Sequence, residues 1–384
     1  SLANDGQLVM SSLGNLTDLR LDTDVTLSGS GAVNTTNTQA NRLYGANGSL
    51  RLTNGLGHTI HGAMQFGLNQ TRLTNHGVID ADLSAGVSFD LVDAPGTNFN
   101  DGTIRASNGA TLFVYPATFE NDGGVIEAAA GSIVHLQDLT INGGTLRDAD
   151  GDGPGEVGTI GAVYLDHVTL EGTLKVPNAG ALILRNGITI GNRIDVGGSG
   201  NFTDVRVETT PFLLGGGGEL VFSNSPANRL YSAAPSITIV NGAGNTIRGS
   251  FQLGVNQTIL QNDGAIIADA SGGVEIDLVD GFQSTNNGTI WANLGNITLW
   301  PSNLVNSGTI RIDAGRSFLW HAAYPQLAGA TIANGSLQLD GQPLHLYGGE
   351  LRGNGTVIGS LVHNELGTVD PGDQIGTLTL TNGY

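Results

Sequence analysis

Asn100-Asp101-Gly102-Thr103-Ile104 carries the pattern from which the rest of the chain can be read. An Asn, any residue, a Gly and then an aliphatic residue recur at Asn75 and Asn121, more loosely at Asn54, and in Asn142-Gly143-Gly144-Thr145-Leu146. The steps between them are 21, 25, 21 and 21 residues. Asn241, Asn262, Asn286 and Asn306 repeat the series with steps of 21, 24 and 20. A period of 20–25 residues is that of one coil in a repeat architecture. Asn-Gly and Asp-Gly steps favour turns with positive φ.

Between the turns, apolar and polar residues alternate. Leu19, Leu21, Val25 and Leu27 show this, as do Val205 with Val207 and Ile188 with Ile190. Period-two patterning in Val, Ile, Leu and Thr marks half-buried strands. One coil cannot bury its apolar face alone. Stacked coils place equivalent residues about 4.8 Å apart, so inward aliphatics form columns. Asn75, Asn100, Asn121, Asn262, Asn286 and Asn306 are then expected to form ladders of side-chain amides along the stack. The expected fold is all-β: a single-stranded parallel β-helix, or β-solenoid, with about 20–25 residues per coil.

The chain is also internally duplicated. Asn15-Leu-Thr-Asp-Leu-Arg20 returns as Asn201-Phe-Thr-Asp-Val-Arg206, and Ala40-Asn-Arg-Leu-Tyr44 returns unchanged at Ala227–Tyr231. The resulting organisation is 1–146 as copy one, 147–200 as connecting coils with an acidic loop, 201–338 as copy two, and 339–384 as C-terminal coils.

Composition narrows the function. The chain has 384 residues, 60 glycines and no cysteine, which removes disulfides, thiolate metal sites and cysteine nucleophiles. Its net charge of −19, with Lys175 the only lysine, leaves no basic stripe for nucleic acid. No apolar run approaches the roughly 20 residues of a membrane-spanning helix, so membrane insertion is not expected.

Asn100-Asp-Gly-Thr-Ile104 and Asn306-Ser-Gly-Thr-Ile310 resemble the repeats of filamentous-haemagglutinin-type and autotransporter-passenger adhesins. The stretches Gly348–Gly359 and Gly367–Leu378 resemble the ends of autotransporter-like and PEP-CTERM-type bacterial exoproteins. The resemblance implies a right-handed helix and an extracellular or cell-surface location, and it says little about activity.

Four sets of residues carry candidate chemistry. Asp148-Ala-Asp-Gly-Asp-Gly153 matches the first half of a calcium loop, with Asp148, Asp150, Asp152 and nearby Glu156 as ligands. Thr159 stands where the full loop has its glutamate. Calcium is the only cofactor suggested. Trp300 and Trp320, one coil apart, with Trp291 and Tyr324 close in sequence, form either an aromatic ladder for glycans or part of the core. His58 and His61 read as a surface pair beside a turn, and His135 and His321 as counterparts between copies. Asp90 with Asp93, and Asp277 with Asp280, are the best acidic pairs for a polysaccharide lyase or hydrolase. Residues i and i+3 of a strand face opposite sides, so neither pair is expected to converge and no enzyme is expected.

The leading expectation is a structural protein. The strands at Gln7–Met10 and Thr377–Thr381 carry no legible cap, which suggests subunits stacking head to tail into a fibre. The alternative is a monomeric adhesin passenger that binds glycans or a host surface.

Overall fold

The computed structural model describes residues 1–151, 153–359, 361–372 and 376–381. Among these there is no helix, and every strand pairing is parallel. The pairing rule is simple: a strand bonds to its equivalent one coil away. Val87–Phe89 pairs with Thr111–Val114, which pairs with Ile133–Gln137, which pairs with Glu156–Ile160. Two further strands lie between each such pair, so a regular coil contains three. The chain is a β-solenoid, as its period predicts.

The chain divides into two compact units, Ser1–Leu182 with Gly191–Arg193, and Ile183–Ile190 with Ile194–Tyr384. The duplication is visible inside each. Ala32–Gly45 and Glu219–Ser232 are both 14-residue strands that run through a corner. Thr59–Gly67 and Thr246–Gly254 share one burial sequence, residue for residue.

Alternation places the core. In the first unit Val33, Ile60 and Ile79 line one column, and Phe66 packs tilted against Phe89 with ring centroids 4.7 Å apart. In the second, Ile266, Ile290 and Ile310 do the same at full burial. Each such side chain stabilises the fold by about 1.5–3 kcal/mol relative to exposure. Glycines occupy the corners where successive coils come closest. A Cβ on Gly288 would overlap the carbonyl oxygen of Gly264.

Candidate functional site

The Asn residues form the ladders expected of them. Asn54 donates to Asn75, Asn75 to Asn100 and Asn100 to Asn121, at 2.8, 2.7 and 2.6 Å. The second unit repeats this from Asn241 through Asn262 and Asn286 to Asn306, at 2.7, 2.6 and 2.7 Å. All eight are buried. An unpaired buried amide costs about 1–3 kcal/mol, so the ladder satisfies what the core could not tolerate alone.

Asn142 does not extend the first ladder. The strand Thr140–Asn142 pairs so that Asn142 lies opposite Glu120, one residue short of Asn121. The side chain therefore emerges on the outer face and donates to Glu120 Oε2 at 3.0 Å. The second ladder ends differently. Asn306 donates to Tyr324 Oη at 3.2 Å, and Tyr324 also bonds Thr331. Burial pushes the Tyr324 phenol above its ordinary range.

This explains why Tyr324 is not part of an exposed aromatic face. It caps a polar column, and Trp320 stacks on it at 4.1 Å. Both are fully buried. Trp320 falls on the inward phase of the strand Ser317–Trp320, and so belongs to the core. Trp291 lies on an outer face beneath Arg311, whose guanidinium is 4.6 Å from the ring centroid. Trp300 is 41% exposed and stacks on His321, with centroids 4.9 Å apart and planes 8° from parallel. His321 Nδ1 in turn lies 2.9 Å from Asp340 Oδ2.

The acidic turn is partly assembled. Asp148 occupies an interior column in which the preceding coils carry Ala81, Ala106 and Ala128. It is 5% exposed, and neither carboxylate oxygen finds a hydrogen-bond partner of good geometry. Burial, then the neighbouring Asp150, raises its pKa to about 6. Asp150 is held low by the backbone N–H of Gly155, helped by that of Gly131, each bonded at 3.0 Å. Glu156 turns elsewhere and bonds Lys175 Nζ at 3.0 Å. Asp152 lies outside the described residues. Among the described residues no group of three or more His, Asp or Glu side chains could hold a metal ion.

The structure separates His58 from His61. His58 is fully buried and hydrogen-bonds Asn54 Oδ1 at 2.9 Å through Nδ1, beside the start of the ladder. Its sequence counterpart Asn245 is also buried, so the position is interior in both copies. His61 lies on the outer face, 3.0 Å from Asp82. His135 and His321 are not equivalent in register. His135 pairs with Phe113, whereas His321 follows Trp320 and stacks on Trp300.

The acidic pairs also sit differently. Strands end at Phe89 and Ile276, so Asp90 and Asp277 lie one residue past them. Burial raises the carboxyl of Asp90. Burial, then the charges of Asp280 and Glu275, raises that of Asp277.

One feature lay outside the residues singled out from sequence. An open groove of about 490 Å3 runs along the corner before the strands Ile297–Leu299, Ser317–Trp320, Ser336–Gln338 and Thr356–Ile358. Arg316 lies within it. The register places Arg316 in a corner column with Gly295, Gly335 and Gly355. A large residue in a column of glycines was the available signal.

Comparison with protein-family models, curated proteins and solved structures finds no match for the chain.

Proposed function

We propose that the chain is an adhesin-like structural β-solenoid of the bacterial cell surface or extracellular space, a scaffold that works by presenting its outer face. One observation carries this reading: the interior is given over to holding coils together. Asparagine ladders and apolar columns fill it, so groups able to meet a ligand stand outside. Much of the outer face is also tied between coils. Arg42 grips Asp18 with two bonds of 2.7 Å, and Arg229 grips Asp204 identically in the second unit. Arg105 bonds Asp80, and Arg147 joins Glu127 to Glu171.

The test pairs imaging with an activity screen on the purified chain. Electron micrographs showing filaments favour head-to-tail assembly, and discrete particles favour a monomeric passenger. Both outcomes agree with a structural scaffold. Release of reducing ends or unsaturated products from acidic polysaccharides, abolished by Asp277→Asn or Asp90→Asn, overturns the reading in favour of a lyase or hydrolase.

A further inference from the structure

We infer that the outer face of the sheet built from Ile297–Leu299, Ser317–Trp320, Ser336–Gln338 and Thr356–Ile358 is a binding site for a carboxylate-bearing glycan, with Arg316 as its anion contact and Trp300 as its aromatic contact. The inference rests on the adhesin-like reading above and names the ligand class.

Charge is the first support. The chain carries 34 acidic residues against 15 Lys and Arg, and many of its arginines are engaged by carboxylates, carbonyls or rings. Among the described residues, Arg316 is the one arginine whose guanidinium has no hydrogen bond, ion pair or ring contact. No acidic residue lines its groove, where Asn296, Ser317, Asn334, Ser336 and Thr356 are the polar neighbours. An unpaired guanidinium offers five donors in a planar fork that matches a carboxylate. Asn, Ser and Thr side chains complement hydroxyls, both as donors and as acceptors.

Shape is the second support. Glycines precede and follow Arg316 in its column, so no neighbouring side chain in that column covers it. The groove touches four successive coils, a span of about 14 Å at strand spacing. Asn296, Thr298 and Trp300 are the outward residues of the strand Ile297–Leu299 and its two flanks, so Trp300 stands about 13 Å from the groove's edge along the chain. The indole is ordered before any ligand arrives, because His321 stacks on it and Asp340 holds His321. A pre-ordered, exposed indole beside hydroxyl-matching side chains suits a saccharide better than an acidic peptide. The first copy lacks the arginine: its equivalent corner holds Ser132, which is fully buried. The site therefore has no counterpart at the equivalent corner of the first copy.

The experiment is calorimetric titration of the full chain with an oligogalacturonate, its neutral carboxyl-reduced counterpart, and poly-glutamate. Arg316→Gln removes no internal bond, so its melting temperature should match the parent's and loss of binding can be read directly. The expected result is binding of the oligogalacturonate that weakens with salt, no binding of the reduced form, a loss of roughly 10- to 100-fold in Arg316→Gln, and a loss of roughly three- to tenfold in Trp300→Ala. Equal binding by parent and Arg316→Gln overturns the proposal, as does preference for poly-glutamate or no binding of the carboxylated sugar. None of these results decides whether the chain is a structural scaffold, which the micrographs and the product-release assay settle separately.

Discussion

Asn75 donates from Nδ2 to Oδ1 of Asn100 at 2.7 Å, and Asn100 passes the same bond to Asn121 across the next coil. Each amide is donor to one neighbour and acceptor from the other. The register of successive coils is thereby fixed by a buried polar bond as well as by apolar packing, which is less directional.

Asn100→Leu should therefore cost more than the loss of one hydrogen bond. It leaves Asn75 without its side-chain acceptor and Asn121 without its donor, both buried. The expected destabilisation is about 2–4 kcal/mol by chemical denaturation. Asn142→Leu, at the position where the ladder leaves the core, should change stability by less than about 0.5 kcal/mol. Equal effects at the two sites would remove the ladder from any role in stability.

The glycine corners make a second contrast. Gly288→Ala drives a methyl group into the Gly264 carbonyl and should cost about 3 kcal/mol. Gly341 has φ of +75° with open space around it, so Gly341→Ala meets only backbone strain, about 1 kcal/mol. Denaturation midpoints of the two variants measure the difference.

Asp148 sets a pH dependence with a definite sign. Its folded pKa of about 6 lies above the ordinary 3.8, so the folded state holds the proton more tightly than the unfolded state. Its unfavourable effect is present above pH 6 and is relieved as pH falls from about 6 towards 4. Asp148→Ala restores the residue found in three neighbouring coils. The variant should melt higher than the parent at pH 7.5, and the gap should close on acidification. A variant that melts lower at pH 7.5 would show that the carboxylate is stabilised by something else.

His167 behaves in the opposite sense. Asp166 lies 2.8 Å from Nδ1 and Asp122 lies 3.2 Å from Nε2, so both ring nitrogens act as donors in the charged form. The bond to Asp166 is the largest cause of a pKa raised above 6.5. Its contribution to stability is fully present below pH 6.5 and is lost as pH rises through the folded value. The ring is half exposed, so the effect on stability is small and screened by salt. Imidazole resonances followed by NMR should titrate late in the parent and earlier in Asp166→Asn.

The ladder was legible from sequence because turn chemistry and period agree: an Asn beside a Gly recurs at the spacing that a coil requires. The long second step in each copy was visible for the same reason, and the bonds at separations of 25 and 24 residues confirm it. Asn142 misled because composition cannot reveal a one-residue change of phase, and a single step turns a strand residue from core to solvent. Trp320 was ambiguous for a related reason. An aromatic at coil spacing stacks equally well inside or outside, and only its phase relative to Phe318 settles the face. Arg316 escaped notice because its meaning lies in what surrounds it: glycines in the coils above and below, and no carboxylate lining its groove. Asp90 and Asp277 lie one residue past the ends of the strands that their pattern predicts, and boundaries are where sequence patterns are weakest.

The separation of 21 residues between Asn100 and Asn121 has an evolutionary corollary. Removing residues 101–121 joins Asn100 to Asp122-Gly123, which recreates the Asn-Asp-Gly junction already present at Asn100-Asp101-Gly102. Because each strand bonds only to its equivalents one turn away, such an excision discards a layer and reseals the pile without rethreading the backbone. Slippage or unequal crossing-over in the gene can therefore lengthen or shorten the molecule in whole increments. The number of layers is then a heritable variable that selection can adjust while every surviving layer keeps its packing.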